Sequence, residues 1–324
     1  MSSEILILAD PNGKAWDFAD KIYHKLKSNE NSKREYLLEK VEIKRFNDGE
    51  LFPKPLESVR GKECYLIHDC SMYPQDWMAS LLFLNDAIGG ASAKSLIDVL
   101  PYLKYSRQDR VTEPRAPINA NVLAKAIKFY ADGLITADLH NPAVVNAYRE
   151  KHFSFENLRA YPIIVDFIKK NYSDFLENAI LEAPDAGATQ ITNSYAKRMK
   201  LGMVCAYKKR ENPGVVEGIE IMGDVNGKNV LITDDMIDTA GTLCEAAKKT
   251  KEKGANKIYA CATHGIFSKN AKQRIENSSL EKVIVTDSIP QKSEGKIEVV
   301  SLTDLFADVI YRISHDISVS ELYK

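Results

Sequence analysis

Short apolar runs recur along the chain and alternate with longer amphipathic stretches. The short runs end at polar or glycine-bearing turns, a pattern typical of strands that are buried on both faces. The longer stretches carry apolar residues at helical spacing, which predicts helices at residues 16–26, 78–88 and 243–252. The predicted strands include residues 5–8, 64–67, 95–100, 134–136, 179–182, 230–233, 257–262 and 283–286.

This alternation of strands and helices predicts an α/β fold with mainly parallel sheets. In such sheets, ligands bind where loops leave the carboxyl ends of the strands. We therefore expect the functional residues to lie in the loops that follow the predicted strands.

The two halves of the chain resemble each other. GKECYLIHDC at residues 61–70 aligns with GKNVLITDDM at residues 227–236, and further predicted strands follow both segments at similar distances. Two tandem copies of one α/β domain explain this repeat. We expect an N-terminal domain at residues 1–158 and a C-terminal domain at residues 159–324, and the length of 324 residues fits two domains of ordinary size.

Composition narrows the class of protein. The hydrophobic content of 44% and charged content of 27% are those of a globular protein and exclude disordered and fibrous classes. A formal net charge of −1 argues against nucleic-acid or membrane-surface binding through bulk charge. No apolar run approaches the roughly 20 residues of a membrane span. The five cysteines are scattered and never spaced C-x-x-C, which predicts a reduced, cytoplasmic protein without zinc or disulfides.

The richest chemistry lies in VLITDDMIDTAGT at residues 230–242. An apolar strand is expected to end in two carboxylates, Asp234 and Asp235, before a turn and a helix that begins near Leu243. Amide groups at a helix start, with Gly241 allowing close approach and threonine hydroxyls donating, can hold a phosphate. The carboxylates could accept hydrogen bonds from a vicinal diol. The alternative is an ordinary Asp/Thr helix cap, but the whole segment favours a sugar-phosphate site.

The same segment resembles the ribose-5-phosphate loop of type I phosphoribosyltransferases, in the form found in the ribose-phosphate pyrophosphokinase family. The resemblance extends across nearly the whole chain, because several other segments resemble those of the family and follow in its order. These segments are RFNDGE at 45–50, PYLKYSRQDR at 101–110, RAPI at 115–118, DLH at 138–140, PDAG at 184–187, KKR at 208–210 and ATHGIFS at 262–268.

The resemblance implies two phosphoribosyltransferase-like domains and a specific reaction. The family transfers the β,γ-diphosphoryl group of MgATP to the anomeric hydroxyl of ribose 5-phosphate and releases AMP. The resemblance also implies Mg²⁺ as the cofactor and a homo-oligomer, either a dimer or a hexamer built from dimers, because the family's adenine segment comes from a neighbouring subunit. Since several negative charges meet in this reaction, positioning and electrostatic stabilisation should dominate catalysis. The sequence contains no G-x-x-x-x-G-K-[ST] phosphate-binding loop.

Residue roles follow from the resemblance at the matching positions. Lys208 and Arg210 would be catalytic, and His140 and Asp185 would contact Mg²⁺. Histidine is an unusual ligand for Mg²⁺, so His140 could instead bond a metal-bound water or a triphosphate oxygen. The ATP-binding residues would be Phe46, Asp48, Glu50, Arg107 and Gln108. The ribose-phosphate-binding residues would be Asp234, Asp235, Asp238, Thr239, Ala240, Gly241 and Thr242.

The chain departs from the family pattern in three places. NPAVVNAY at residues 141–148 replaces a segment that helps build the allosteric site of phosphate-activated, ADP-inhibited members, so this regulation stays open. In the pyrophosphate loop, Ala188 replaces a glycine, and Gln190 and Ile191 stand where a basic residue is common. A longer segment, NENSKREYLLEK, precedes the adenine segment.

These departures leave alternatives to the favoured function, which is an active ribose-phosphate pyrophosphokinase with altered regulation. One alternative is the same pyrophosphoryl transfer to another ribosyl 5-phosphate acceptor, such as ADP-ribose. Another is a non-catalytic, regulatory associated protein, although the retained catalytic residues argue against it. A true phosphoribosyltransferase would leave the adenine segments unexplained.

Overall fold

A computed structural model describes residues 4–209 and 218–323 of the chain. The chain divides into two compact units. The first contains the described part of residues 1–158 together with that of residues 302–324, and the second contains that of residues 159–301. The sequence analysis assigned residues 302–324 to the second domain, whereas the structure places them in the first unit.

In its described residues, the first unit contains a mainly parallel sheet with the strand order β3-β2-β1-β4-β5-β6-β7. Its strands are β1 (Ile5–Ala9), β2 (Tyr36–Arg45), β3 (Leu51–Pro55), β4 (Glu63–Ile67), β5 (Ser95–Val99), β6 (Gly133–Ala137) and β7 (Ser154–Leu158). Its helices up to this point are α1 (Trp16–Lys27), α2 (Pro74–Gly90), α3 (Asn119–Tyr130) and α4 (Val145–Tyr148), with a 3-10 turn at Pro142–Val144. The β2–β3 pair is an antiparallel hairpin.

The second unit repeats this arrangement, with the strand order β10-β9-β8-β11-β12-β13-β14 over its described residues. Its strands are β8 (Ala179–Ala183), β9 (Met203–Lys209), β10 (Gly218–Met222), β11 (Asn229–Ile237), β12 (Ile258–Gly265), β13 (Lys282–Thr286) and β14 (Ile297–Val300). Its helices are α5 (Tyr161–Asn171), α6 (Ser173–Leu176), α7 (Thr189–Met199), α8 (Gly241–Glu252) and α9 (Ala271–Glu276). The β9–β10 pair is the antiparallel hairpin here.

The identical strand orders confirm the α/β fold and the tandem repeat. All eight strands predicted from the sequence are present, and in each sheet they are four adjacent interior strands. These strands are apolar because helices cover both faces: β1 and β12, for example, are buried along their whole lengths. None of the helices within residues 4–209 and 218–323 combines the length and apolar character needed to cross a lipid bilayer.

Each sheet has its own hydrophobic core. In the first unit, α2 contributes Trp77, Leu81, Leu84 and Ile88, which recur at helical spacing and are fully buried. In the second unit, α8 packs one apolar face on the sheet through residues that include Ala246. Each core therefore fixes the strand ends from which that unit's loops emerge.

The C-terminal helix α10 (Thr303–Ser314) packs against the first unit, followed by a 3-10 turn at Val319–Tyr323. Phe306 of α10 contacts Phe18 of α1 edge to face, with ring centroids 5.5 Å apart. At its end, Ser314 exchanges a hydrogen bond with the hydroxyl of Tyr36 at 3.0 Å, and its carbonyl accepts from Arg34 Nη1 at 2.5 Å. These contacts explain why residues 302–324 do not belong to the second unit.

Strand β11 continues further than its apolar run. Asp234 and Asp235 were expected to end the strand, with a turn directly after them, but β11 continues past both carboxylates to Ile237. The strand continues because its backbone stays paired with β12, with Asp234 opposite Ala262 and Ile237 opposite Gly265. Helix α8 begins at Gly241.

Candidate active site

Three loops emerge from neighbouring parallel strands at one edge of the second unit's sheet. Strand β8 leads into residues 184–188, β11 into residues 238–240, and β12 into residues 266–270. Strand β11 lies between the other two and pairs in parallel with both. The carboxyl edge of the sheet is therefore where the predicted pyrophosphate and ribose-phosphate loops meet.

The predicted phosphate loop ends in a left-handed residue directly before a helix. Ala240 has a φ of 58°, and α8 begins at the next residue. The first-turn amides of a helix have no acceptors within that helix, so they can donate to an anion. A Cβ built on Gly241 would lie 3.7 Å from Thr239 Oγ1, an ordinary contact, so internal packing alone does not require glycine there.

A cluster of carboxylates lies beside this loop. The amide of Asp235 donates to Oδ1 of Asp234 at 2.9 Å. Burial is the main cause that raises the pKa of Asp234, and the negative charges of Asp235 and Asp185 raise it further. The site therefore concentrates negative charge in a region shielded from water. A divalent cation bound beside these groups would offset that charge.

Asp185 is oriented by its own loop. Its Oδ1 accepts hydrogen bonds from the backbone amides of Gly187 at 2.9 Å and Ala188 at 3.3 Å. Among the described residues, no group of three or more His, Cys, Asp or Glu side chains has the geometry of a protein-only metal site. That result is compatible with Mg²⁺, which commonly takes few protein ligands and completes its shell with water and phosphate oxygens.

A segment that follows β12 is hydrogen-bonded to the ribose-phosphate loop. Ser268 Oγ donates to Oδ1 of Asp238 at 2.5 Å, and the amide of Ser268 donates to the carbonyl of Asp238 at 3.0 Å. The amides of Ile266 and Phe267 both donate to the carbonyl of Ile237, at 2.9 and 3.1 Å. These bonds hold the backbone and the carboxylate of Asp238 in one arrangement.

A second contact to the loop comes from α9. Arg274 Nη1 donates to the carbonyl of Thr239 at 3.1 Å. Neither Arg274 nor Ser268 was among the predicted site residues. The ATHGIFS segment that contains Ser268 had been noted as family-like, and its place after a buried strand was the signal for a site role.

The predicted adenine segment lies at the turn of the β2–β3 hairpin. Phe46 is 52% exposed and lies near Phe52, with ring centroids 5.5 Å apart. Asp48 Oδ1 accepts from the amide of Glu50 at 3.1 Å, and the hairpin closes through Phe46 N donating to the Glu50 carbonyl at 2.8 Å. The hairpin therefore presents an exposed aromatic ring beside two acidic residues.

The second predicted ATP segment follows β5, and the predicted metal loop follows β6 in the same unit. Gln108 Oε1 accepts a hydrogen bond from the side-chain amide of Asn119 at 2.6 Å. Arg107, the residue before Gln108, is exposed. Asp109 links the two loops because the side chain of Asn141 donates to it. Exposed His140 directly precedes Asn141. The structure thus joins the Arg107 and His140 segments, whereas Asp185 belongs to the other unit.

One of the two predicted catalytic residues, Lys208, lies near the end of β9. Lys208 is in the strand, with its backbone opposite Ile219 of β10. Arg210 lies outside the described residues. Their catalytic roles stay predictions, as do the other residue assignments.

The fold and the site together define a class: a protein with two type I phosphoribosyltransferase-like units and, on the second, a predicted sugar-phosphate loop. A family model described as "N-terminal domain of ribose phosphate pyrophosphokinase" matches residues 13–130. Another, described as "Phosphoribosyl synthetase-associated domain", matches residues 208–324.

Named relatives cover nearly the whole chain. Ribose-phosphate pyrophosphokinase of Aquifex aeolicus is 40% identical over 87% of this chain and 90% of its own length. The enzyme of Helicobacter hepaticus is 39% identical over 93% of this chain and 96% of its own length. The crystal structure of phosphoribosylpyrophosphate synthetase from Mycobacterium smegmatis matches with a TM-score of 0.85 and 27% identity, covering 97% of this chain and 100% of that one. The chain belongs to the ribose-phosphate pyrophosphokinase family, which is a family of enzymes.

Proposed function

We propose that this protein transfers the β,γ-diphosphoryl group of ATP to ribose 5-phosphate. The oxygen of the anomeric hydroxyl attacks the β-phosphorus and loses its proton. The bond between the β-phosphorus and the α,β-bridging oxygen breaks, so AMP leaves and phosphoribosyl pyrophosphate forms. Family membership supports this reaction, and the arrangement around residues 234–242 supports the identity of the acceptor site.

One observation carries the assignment of the acceptor site. The carboxylates of β11 and the left-handed turn at Ala240 place diol acceptors and helix-start amides on a single continuous segment. We assign the 5-phosphate to residues 239–242, where amides and hydroxyls donate. We assign the ribose hydroxyls to Asp234 and Asp235, which can accept hydrogen bonds. Asp238, held by Ser268, lies between these two groups along the chain.

We propose Mg²⁺ as the cofactor. The carboxylates of Asp185, Asp234 and Asp235 fit it, because burial and then the negative charges of Asp235 and Asp185 raise the pKa of Asp234, and a cation would offset that negative charge. When bound, Mg²⁺ would neutralise charge on the triphosphate. We assign His140 to the metal and triphosphate site, where it would hydrogen-bond a metal-bound water or a phosphate oxygen.

The remaining assignments concern ATP and catalysis. We assign the adenine to Phe46 with Asp48 and Glu50, and the triphosphate or base to Arg107 and Gln108. Lys208 and Arg210 would stabilise the charge that develops at the β-phosphorus.

Two further properties are proposed for the protein as a whole. We propose a homo-oligomer, because the exposed Phe46 ring is suited to complete an adenine site on another subunit. A reducing, cytoplasmic location fits the five cysteines, which are all free.

The test is AMP release from ATP with ribose 5-phosphate or ADP-ribose as the acceptor, with products identified by mass. The proposal expects one diphosphate to be added to ribose 5-phosphate and the reaction to stop when a chelator removes the divalent cation. Addition to ADP-ribose alone would overturn the acceptor but keep the chemistry. No AMP release with either acceptor would overturn the enzymatic function.

A further inference from the structure

A recess in the second unit is lined by residues of α8 and α9, including Arg274. Its volume is about 440 Å³, within the range of roughly 300–1,000 Å³ that is usual for small-molecule sites. We call it the Arg274 recess. Its lining includes Cys244, Lys248, Asn270, Gln273, Arg274 and Asn277.

The lining is rich in hydrogen-bond donors and positive charge. Lys248 and Arg274 are both cationic, and Asn270, Gln273 and Asn277 add amide groups that can donate. Among the described residues that line the recess, none carries a carboxylate.

The charged groups around the recess leave this positive character in place. Glu252 lies one helical turn from Lys248, and its Oε1 is 4.0 Å from Lys248 Nζ, a weak exposed pair. On the α9 side, Glu276 accepts from the backbone amide of Lys296. Glu245 is exposed on α8. The acidic side chains nearby therefore neutralise little of the positive charge that Lys248 and Arg274 offer to a ligand.

The thiol of Cys244 lines the recess, and its pKa is affected by nearby positive charge. Burial raises the pKa of this thiol, while a hydrogen bond with Ser278 and the charges of Arg274 and Lys296 act in the opposite direction. Arg274 of the recess lining, and Lys296 outside that lining, therefore lie close enough to the sulfur to act on its charge. Cys244 is partly exposed, so reagents in solution can reach it and its reactivity can be measured.

Arg274 connects the recess to the ribose-phosphate loop. One of its terminal nitrogens donates to the Thr239 carbonyl, and a guanidinium has five N–H donors in a fixed planar fork. The remaining N–H groups can serve a ligand in the recess without loss of the Thr239 bond. An anion bound there would be held by the same side chain that supports the loop.

We propose that the Arg274 recess binds a small phosphate-bearing anion, with Lys248 and Arg274 as its charge partners and the amides of Gln273 and Asn277 as further donors. Phosphate fits because it presents several acceptor oxygens to a lining composed of donors. Since the recess is open to water and its cations are exposed, the dissociation constant for inorganic phosphate should be on the order of 1 mM.

The experiment measures alkylation of Cys244 by iodoacetamide in the folded, full-length protein, with the modified peptide quantified by mass spectrometry. Inorganic phosphate is titrated against chloride at constant ionic strength. The partly exposed Cys205 provides an internal reference for general changes in reactivity. At about ten times the dissociation constant, bound phosphate should slow modification of Cys244 about tenfold by mass action.

Two variants test whether the protection arises in the recess. Lys248→Ala removes a cation and Gln273→Glu adds a repelling charge, and both should abolish the protection. Lys170→Ala, at an exposed lysine of α5, removes the same charge elsewhere and should behave as the unchanged protein. Arg274 is left intact because it also contacts the loop.

The outcomes separate this site from the proposed active site, because the readout does not depend on catalysis. Protection that disappears only in Lys248→Ala and Gln273→Glu would support the recess. Unchanged Cys244 reactivity in phosphate would overturn the proposal. Equal protection in all the variants would also overturn it, because phosphate would then act from another place, such as the ribose-phosphate loop.

Discussion

The Oγ atom of Ser268 donates a hydrogen bond to Oδ1 of Asp238 across a distance of 2.5 Å. The two residues are 30 positions apart in the sequence and follow neighbouring strands of one sheet. The bond fixes the direction of a carboxylate in the middle of the proposed ribose-phosphate loop. We therefore predict that Ser268 is a positioning residue, which acts on the acceptor through Asp238.

Replacement of Ser268 by alanine should weaken binding of ribose 5-phosphate. Loss of a hydrogen bond to a charged group costs about 1.5–3 kcal/mol, so the apparent KM should rise at least about tenfold. The measurement is initial-rate kinetics with the acceptor varied at saturating ATP, and kcat should change less than KM. Ser194→Ala is the control, because that hydroxyl bonds to the Gln190 carbonyl within its own helix. An unchanged KM in Ser268→Ala would contradict the positioning role.

A double-mutant cycle tests whether Ser268 acts through Asp238. Asp238→Ala alone should raise the apparent KM for ribose 5-phosphate by more than Ser268→Ala does. In the Asp238→Ala background, Ser268→Ala should have little further effect, so the coupling energy should be about 1 kcal/mol or more. Additive effects on log KM would show that the two residues act independently. Unchanged KM in Asp238→Ala would remove Asp238 from the acceptor site.

Lys208→Ala and Arg210→Ala should lower turnover while leaving the fold intact. Each side chain is proposed to stabilise charge at the β-phosphorus, and loss of one such donor typically lowers kcat by roughly 10²–10³-fold. The measurements are kcat for AMP release and the circular dichroism spectrum. Lys197→Ala, in α7, is a matched loss of charge and should keep normal turnover. Near-normal turnover in Lys208→Ala and Arg210→Ala would exclude their catalytic role.

The central strands could be predicted from the sequence because they are buried on both faces. Their apolar runs are continuous, as in β1 and β12. The strands that the sequence analysis did not name, β2, β3, β7, β9, β10 and β14, all lie toward the edges of the two sheets. Strands near a sheet edge are partly exposed and therefore mix polar and apolar residues, as the pattern of β2, next to the edge strand β3, shows.

The candidate site was predictable where its residues are contiguous. Residues 234–242 form one segment, so their chemistry is visible in the sequence. Ser268 and Arg274 reach this loop only because β12 lies beside β11, and that neighbourhood is a property of the folded sheet. The C-terminal helix α10 was assigned to the wrong unit for the same reason, since its partner α1 lies near the other end of the chain.

Two buried carboxylates should make stability depend on pH. Asp98 in β5 accepts a hydrogen bond from the side-chain amide of Asn85 at 2.9 Å. Glu182 in β8 accepts one from the hydroxyl of Thr250 at 2.6 Å. Burial raises the pKa of each to about 7. The folded protein therefore keeps a proton on each group that the unfolded chain releases near pH 4.

The sign of the effect follows from proton binding. Between about pH 4 and pH 7 the folded state holds more protons at these groups than the unfolded state, so their contribution to the free energy of unfolding falls as pH rises. Above about pH 7 both groups are charged in the folded state, and their contribution to the free energy of unfolding falls no further. At 1.36 kcal/mol per pKa unit, the loss is about 3–4 kcal/mol for each group.

Asp98→Asn and Glu182→Gln should remove this part of the pH dependence, because the neutral amides do not titrate. Relative to the unchanged protein, each variant should gain stability between about pH 4 and pH 7 and then level off. The measurement is the midpoint of urea unfolding across that range, followed by circular dichroism. Asp86→Asn, at an exposed carboxylate of α2, should preserve the original slope. A pH profile of Asp98→Asn parallel to that of the unchanged protein would show that Asp98 is already charged when buried, because only a group that changes its protonation across this range can alter the slope.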